Sequence, residues 1–348
     1  MEECKEVVCK MVNLGMRTDK ALKIAKIPRS SYYYRSTGGR KGKEPSTHTL
    51  KNGQPVSNEQ LVNEMNDILG EDFIDYGYAR TTKALAEKGY HVNKKKIYRL
   101  MKINHLLLKK KKAAVKKNYV SDFKPLCTAP FQVMEIDIKY VYIDGLHKNA
   151  YLITIFDVFS RTALVWSLDL DMKASRVVTL VNQLIQEWLI PWNIDPKQTK
   201  VSIRTDNGSQ FVATLFREHL KSVDITNEYI QPATPQQNGH IESFHATLTK
   251  LVCNKYCFDD LSNAINVLRK FFHTYNNLRI MEAILYKTPS DFLKLWKEGK
   301  INAKIENKKV IYFFREETTS QQPVASSSEY SWGIDKIMPI SPNFVINV

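Results

Sequence analysis

The chain has 348 residues, 43% hydrophobic and 25% charged, with a formal net charge of +15. That length allows two or three domains with sizeable cores, no stretch reaches the roughly 18 apolar residues a bilayer span needs, and the start, Met-Glu-Glu-Cys-Lys-Glu, lacks the basic-then-apolar order of a signal peptide, so a cytoplasmic protein without membrane contact is expected. The charge is segregated: residues 1–120 hold 26 Lys and Arg against 12 Asp and Glu, and 121–348 hold 25 against 24, which points to an anionic polymer gripped by the front of the chain.

Residues 1–35 read as a helix-turn-helix, though a generic three-helix bundle fits the same pattern. Glu3 to Leu14 is a helix closed by Gly15, Thr18-Asp19 starts another, and Ile27-Pro28 breaks the chain before a Ser-, Tyr- and Arg-rich segment in which Arg29 is a candidate DNA contact. Residues 36–53 are rich in Gly, Lys, Ser and Thr with few apolar side chains, and read as a linker.

A second helical module is expected over 54–108. Ser57 caps a helix with Leu61, Met65, Ile68 and Leu69 on one face, a helix over Thr82 to Lys88 stops at Gly89, and Asn93 caps a third. That third helix carries Lys94, Lys95, Lys96, Arg99 and Lys102. Five cations on one helix favour a DNA-binding face over a merely solvated one. Lys109, Lys110 and the lysines that follow make a basic connector over 109–125, suited to phosphate backbone rather than base reading.

From 126 to 298 the pattern becomes α/β. Strands are expected at 132–143, 150–159 and 162–168, then a helix from Ser175 to Leu189, a strand from Val201 to Thr205, a helix from Thr214 to Lys221 and a fifth strand from Thr226 to Ile230. Three acids stand out. Asp137 lies inside the apolar run Val-Met-Glu-Ile-Asp-Ile-Lys-Tyr-Val-Tyr-Ile, where a carboxylate needs a partner. Asp206 ends a strand just before Asn-Gly, and Glu242 flanks the apolar face of a helix marked by Ile241, Phe244, Leu248 and Leu251. Singly, these are an edge or capping Asp, a turn former and a solvated Glu. Together they suit a hard-cation site, because two Mg²⁺ ions roughly 3.5–4 Å apart can clamp the attacking and leaving oxygens of a phosphoryl displacement with about three carboxylates.

Thirty-five residues lie between Asp206 and Glu242. With Thr-Asp-Asn-Gly-Ser-Gln-Phe around the second acid and Thr-Pro-Gln-Gln-Asn-Gly-His-Ile-Glu-Ser-Phe around the third, this resembles the integrase-type (DDE) core of bacterial insertion-sequence transposases. Tyr275-Asn276, Arg279 and Thr288-Pro289 match the family's pattern after its glutamate, and Tyr-Gly-Tyr-x-Arg at 76–80 resembles the winged-helix-like module that precedes such cores. The resemblance implies a ribonuclease-H-like mixed five-stranded sheet with flanking helices, whose first and fourth strands are neighbours. It implies Asp137, Asp206 and Glu242 as catalytic and metal ligands for two Mg²⁺, with Mn²⁺ substituting. It also implies strand cleavage and strand transfer on double-stranded DNA at the ends of a mobile element, by a homo-oligomer. The alternatives are a metal-dependent nuclease of the same fold and a DNA-binding regulator with an inactive core.

Two positions depart from that pattern. Lys139 stands two after the first acid where many relatives have Thr, and Thr249 stands seven after Glu242 where a basic residue is usual; Lys250, one place later, is the candidate DNA contact. Gln231 to Gly239 reads as a mobile active-site loop. Five cysteines without paired spacing fit a reducing compartment, and Cys253 and Cys257 with His240 and His245 are better read as helix residues than as a zinc site. Residues 299–348 read as a tail in which Lys309 to Phe314 is a candidate strand.

Overall fold

A computed structural model describes residues 2–33, 46–109, 126–231 and 235–315. The linker expectation over 36–45, the connector lysines from Lys110 onward and the tail beyond 315 lie outside the described residues. The chain divides into two compact units, residues 1–47 and 48–348.

The first unit holds helices α1 (Glu2–Asn13), α2 (Thr18–Ile24) and α3 (Arg29–Tyr33). Val8, Ala21 and Leu22 are its buried centre, with Met11, Ile27 and Tyr32 packed around them. Arg29 pairs with Asp19 on the surface at 3.0 Å.

The second unit begins earlier than the expected linker allows. Strands β1 (His48–Lys51) and β2 (Gln54–Ser57) form an antiparallel hairpin, and β3 (Tyr90–His91) adds to β1. The turn between them is Asn52-Gly53, both residues at positive φ (49° and 84°), the requirement of a two-residue hairpin turn. The polar composition that reads as a linker conceals this Asn-Gly signal, so residues 48–53 belong to a small wing. Helices α4 (Asn58–Gly70), α5 (Tyr78–Glu87) and α6 (Lys94–Ile103) pack with it around Leu61, Met65, Leu85, Ile97 and Met101. Ser57 and Gln60 form the reciprocal capping box that starts α4, and Asn93 Oδ1 accepts Lys95 N–H to start α6.

The central sheet has five strands in the order β6-β5-β4-β7-β8, where β4 is Val133–Ile143, β5 Lys148–Asp157, β6 Ala163–Asp169, β7 Ser202–Thr205 and β8 Thr226–Tyr229. β4, β5 and β6 form an antiparallel meander; β7 pairs parallel to β4, and β8 parallel to β7. The first strand of the sheet therefore lies beside the fourth, the expected ribonuclease-H-like arrangement. β5 ends at Asp157, two residues before the expected end, because the fully buried Asp157 carboxylate accepts from the N–H groups of Phe131 and Ser160 and from the Ser160 hydroxyl, closing the turn to β6.

Strand alternation sorts the sheet's two faces. Met134, Ile136 and Ile138 of β4 face a core shared with α7 (Ala174–Leu184) and α10 (Thr214–Ser222); the short helices α8 (Pro196–Thr199) and α9 (Ser209–Val212) flank β7. Val141 and Ile143 face the opposite core, built with α11 (Gly239–Leu248) and α12 (Leu261–Asn277) from Ile241, Phe244, Leu248, Leu268 and Phe271. Both α7 and α11 run on into a π-helical turn, Ile185–Leu189 and Thr249–Cys253.

The wing module and the sheet are one packed body. Phe73 sits in the α11–α12 core, the Tyr76 hydroxyl donates to Leu278 O at 3.1 Å and accepts Ile280 N–H at 2.8 Å, and Lys287 pairs with Glu87. The sequence boundary at 108/126 therefore marks a connector, and residues 54–108 pack as part of the same unit. The expected boundary at 298 also moves. Helix α13 (Pro289–Lys297) leads to an antiparallel hairpin, β9 (Ile301–Glu306) and β10 (Lys309–Phe314), whose Ile301 and Tyr312 pack on Phe159 and Phe292.

Candidate active site

The β4–β7 register pairs Glu135 with Arg204, so two residues further on Asp137 and Asp206 are the next positions on adjacent parallel strands. Asp137 shares the strand face on which Glu135 meets α11, and Asp206 lies just past the end of β7. Asp206 follows the last residue of β7, and its Oδ1 accepts Gly208 N–H at 2.9 Å. A Cβ at position 208 would lie 3.0 Å from that oxygen, so a larger residue there would press on the Asp206 carboxylate.

Helix α11 delivers the third acid. Its first turn is fixed by Glu135, whose Oε2 accepts Ile241 N–H at 2.7 Å and whose Oε1 lies 3.0 Å from His240 Nδ1. Glu242 follows directly and shares a cavity of about 410 Å³ with Asp137, Lys139, His245 and Thr249. Burial, then the charges of Asp137 and Glu135, raise the Glu242 pKa. Burial first, offset by the Ile241 N–H, and with Asp137 adding to it, pushes Glu135 up to about 7. Three carboxylates thus press on one another. His245, almost buried, sets Nδ1 3.2 Å from Asp137 Oδ2 and leaves Nε2 without a hydrogen-bond partner among the described residues.

This donor set is all carboxylate oxygen with mutual repulsion, which fits a hard divalent cation. As the side chains stand, no group of three or more His, Cys, Asp or Glu among the described residues closes to metal-holding distance. The reason is visible in the partners: Asp137 Oδ1 accepts Ile138 N–H, its Oδ2 faces His245, and Asp206 Oδ1 is turned to Gly208. The cysteines do not form a centre either; Cys253 and Cys257 are free thiols, and His240 and His245 are engaged by carboxylates.

The cationic candidates separate into two kinds. Lys94, Lys95, Lys102 and Lys109 are exposed and Arg99 half-buried on or just beyond α6. Lys96 instead donates to His48 O and Thr49 Oγ1, tying α6 to β1. Lys250 is drawn onto Asp75, where Arg279 also lands at 2.5 Å and Arg80 at 3.7 Å. In place of a phosphate, Lys250 meets a carboxylate of the wing module; the π-helical turn that begins at Thr249 redirects the helix there. Lys110 is outside the described residues.

The first integrase core domain model matches residues 128–235, a second matches 223–289, and an HTH-like domain model matches 57–114. The transposase for insertion sequence element IS904 of Lactococcus lactis subsp. lactis (strain IL1403) is 27% identical over 259 residues, which cover 71% of this chain and 98% of that protein. The chain carries an integrase core over residues 128–289 and functions as a DNA transposase. A protein named as transposase InsK for insertion sequence element IS150 of Escherichia coli (strain K12) is 24% identical to this transposase over 79% of the chain and 92% of its own length. A solved HTLV-2 integrase catalytic core domain in complex with magnesium overlaps 47% of this chain and 96% of its own at 20% identity, with a TM-score of 0.33. The transposase is a polynucleotidyl transferase that binds DNA, and no helix among its described residues is long and apolar enough to cross a membrane.

Sequence reasoning did not single out Glu135, Asp75 or the roles of His240 and His245. Glu135 was findable, because it stands two residues before Asp137 and so shares its strand face. Asp75 gave no such signal, since its partners Lys250 and Arg279 are far away in the chain.

Proposed function

We propose that Asp137, Asp206 and Glu242 are the catalytic acids with which this transposase cuts a DNA strand at a mobile-element end and joins the freed 3′-hydroxyl to a target phosphodiester. The observation that supports the reading is the register: the β4–β7 ladder ends at Glu135 and Arg204, Asp137 and Asp206 each follow two residues later, and Glu242 on α11 feels the charge of Asp137. The three carboxylates would hold two Mg²⁺ ions, for which Mn²⁺ would substitute; when bound, the ions supply neutralisation of charge at the attacking and leaving oxygens of an in-line displacement. Asp137, from the middle strand of the sheet, would hold them together with Asp206 and Glu242.

The chain's own residues do the rest. The Glu135 carboxylate fixes the start of α11 and so the reach of Glu242. His245 orients the Asp137 carboxylate through Nδ1. The exposed Lys94, Lys95 and Lys102 and the half-buried Arg99 of α6, with Lys109 and Arg29, hold duplex DNA by its phosphates; Lys96 and Lys250 contribute by fixing α6 to the wing and α11 to Asp75. Joining two ends to a target requires a homo-oligomer on the DNA. The test is a labelled oligonucleotide carrying a matched element end, incubated with Mg²⁺ and a target duplex. Joined strands are expected; hydrolysed strands without joined products would make the chain a nuclease instead.

A further inference from the structure

Helix α11 has a second flank that the catalytic reading leaves unused. Glu242, Ala246 and Thr249 face the cavity of the acids, whereas His240, Ser243 and Thr247 line a separate cavity of about 610 Å³. Three guanidinium groups, from Arg80, Arg161 and Arg279, stand in its wall against a single carboxylate, Glu282. Asp75 offsets two of the three, and Lys250 draws on the same carboxylate. The remaining excess is felt inside the cluster: burial, then the neighbouring charge of Arg279, lowers the Arg80 pKa.

Arg161 is the one guanidinium of the three that Asp75 does not pair, although its charge reaches Glu135. It sits at φ +64° in the turn after β5, and its Nε is buried without a hydrogen-bond partner among the described residues. A buried unpaired donor costs roughly 1–3 kcal/mol, so such a group is kept for something that binds it. Arg161 also lines a smaller cavity of about 110 Å³, with His240 and Ala283 common to both and Lys309 of the β9–β10 hairpin in its wall. Cations therefore line two cavities that share Arg161, Lys309 in the smaller and Arg80 and Arg279 in the larger. A polyanion suits such a lining. A space of this volume admits single nucleotides in succession and excludes a duplex.

We propose that this cleft holds an unpaired DNA strand by its phosphates, with Arg161 as the phosphate ligand, on the flank of α11 opposite the acids. It rests on the transposase reading and deepens it. The strand at the acids and the strand in the cleft would lie on either side of one helix, about 10 Å across, so the cleft takes the strand that is not being cut.

The test is binding, measured by fluorescence anisotropy on the full chain in EDTA, so that it stands apart from cleavage and from the three acids. The probes are a labelled single-stranded oligonucleotide and the duplex of the same sequence, each over a series of salt concentrations. Arg161→Gln is expected to weaken the single strand roughly tenfold and to flatten its salt dependence by about 0.7 of a logarithmic unit, with the duplex unchanged. Arg161→Lys, which keeps the charge, is expected to recover most of the salt dependence. Unchanged single-strand affinity in a folded Arg161→Gln chain would overturn the proposal, as would an equal loss on duplex or an equal loss in Arg161→Lys. Should Arg161→Gln melt early, Thr247→Glu puts a negative charge into the same cavity from the helix side; the same selective loss is expected, and full single-strand affinity would overturn the proposal. Deoxyadenosine monophosphate titrated as a competitor separates the sources of phosphate: saturable binding that leaves the oligonucleotide affinity intact would assign the cleft to a free nucleotide and overturn the DNA strand.

Discussion

Asp75 and Asp137 are both carboxylates held between packed elements of one unit, and their surroundings are opposite. Asp75 gathers Arg80, Lys250 and Arg279, cations from the wing module, the end of α11 and the loop after α12. Burial alone would raise its pKa, but Arg279 and Lys250 pull it below the ordinary value. Asp137 instead meets Glu242 and Glu135, both with raised pKa values, and a single histidine. A carboxylate saturated with the chain's own cations fastens two parts of the fold together. A group of carboxylates that repel one another is a place prepared for charge from outside.

The largest expected effects come from the second kind of site. Asp137→Asn, Asp206→Asn or Glu242→Gln should lower strand cleavage on a labelled element end by at least about 10³-fold, while anisotropy in EDTA shows DNA affinity kept. Activity retained in any one would remove that residue from the site. Asp75→Asn should do the reverse, costing about 3–5 kcal/mol in a denaturant melt because it leaves the buried Arg279 guanidinium uncompensated. A chain as stable as the parent would erase the contrast drawn here.

Mg²⁺ should sharpen it further. At about 100 times its Kd, an ion bound only by the folded chain adds about 2.7 kcal/mol, read as a rise in Tm. That rise should persist in Asp75→Asn and vanish in Asp137→Asn; the opposite pattern would place the ion elsewhere. For pH the sign follows from the lowered Asp75 pKa. Its stabilisation is complete above the ordinary value of 3.8 and is lost as the pH falls below that through the folded-state value. Acid unfolding should therefore be shallower in Asp75→Asn. The smallest effect is expected at Lys250, which is 42% exposed: Lys250→Ala should cost at most about 1 kcal/mol and leave duplex affinity unaltered. A marked loss of duplex binding would instead restore Lys250 as a DNA contact.

The antiparallel strands β4, β5 and β6 were readable because they carry dense apolar runs, whereas β7 and β8 are short and largely polar. The wing hairpin was not readable, since His48 to Ser57 is polar and its signal is two residues, Asn52-Gly53, in a stretch that otherwise resembles a linker. The β9–β10 hairpin was half readable: Lys309 to Phe314 is apolar, while Ile301 to Glu306 alternates with charge and pairs only because its partner is beside it.

For the candidate site, the sequence alone singled out three acids by their order, their spacing and their neighbours, since the local pattern around any one of them fits an ordinary role. Only the tertiary structure decided what lies around those acids. The Glu135 anchor on α11, the capture of Lys250 by Asp75 and the guanidinium cleft behind Ser243 and Thr247 each join residues that are distant in the chain. Burial and charge act through space, and a sequence orders residues along only one dimension.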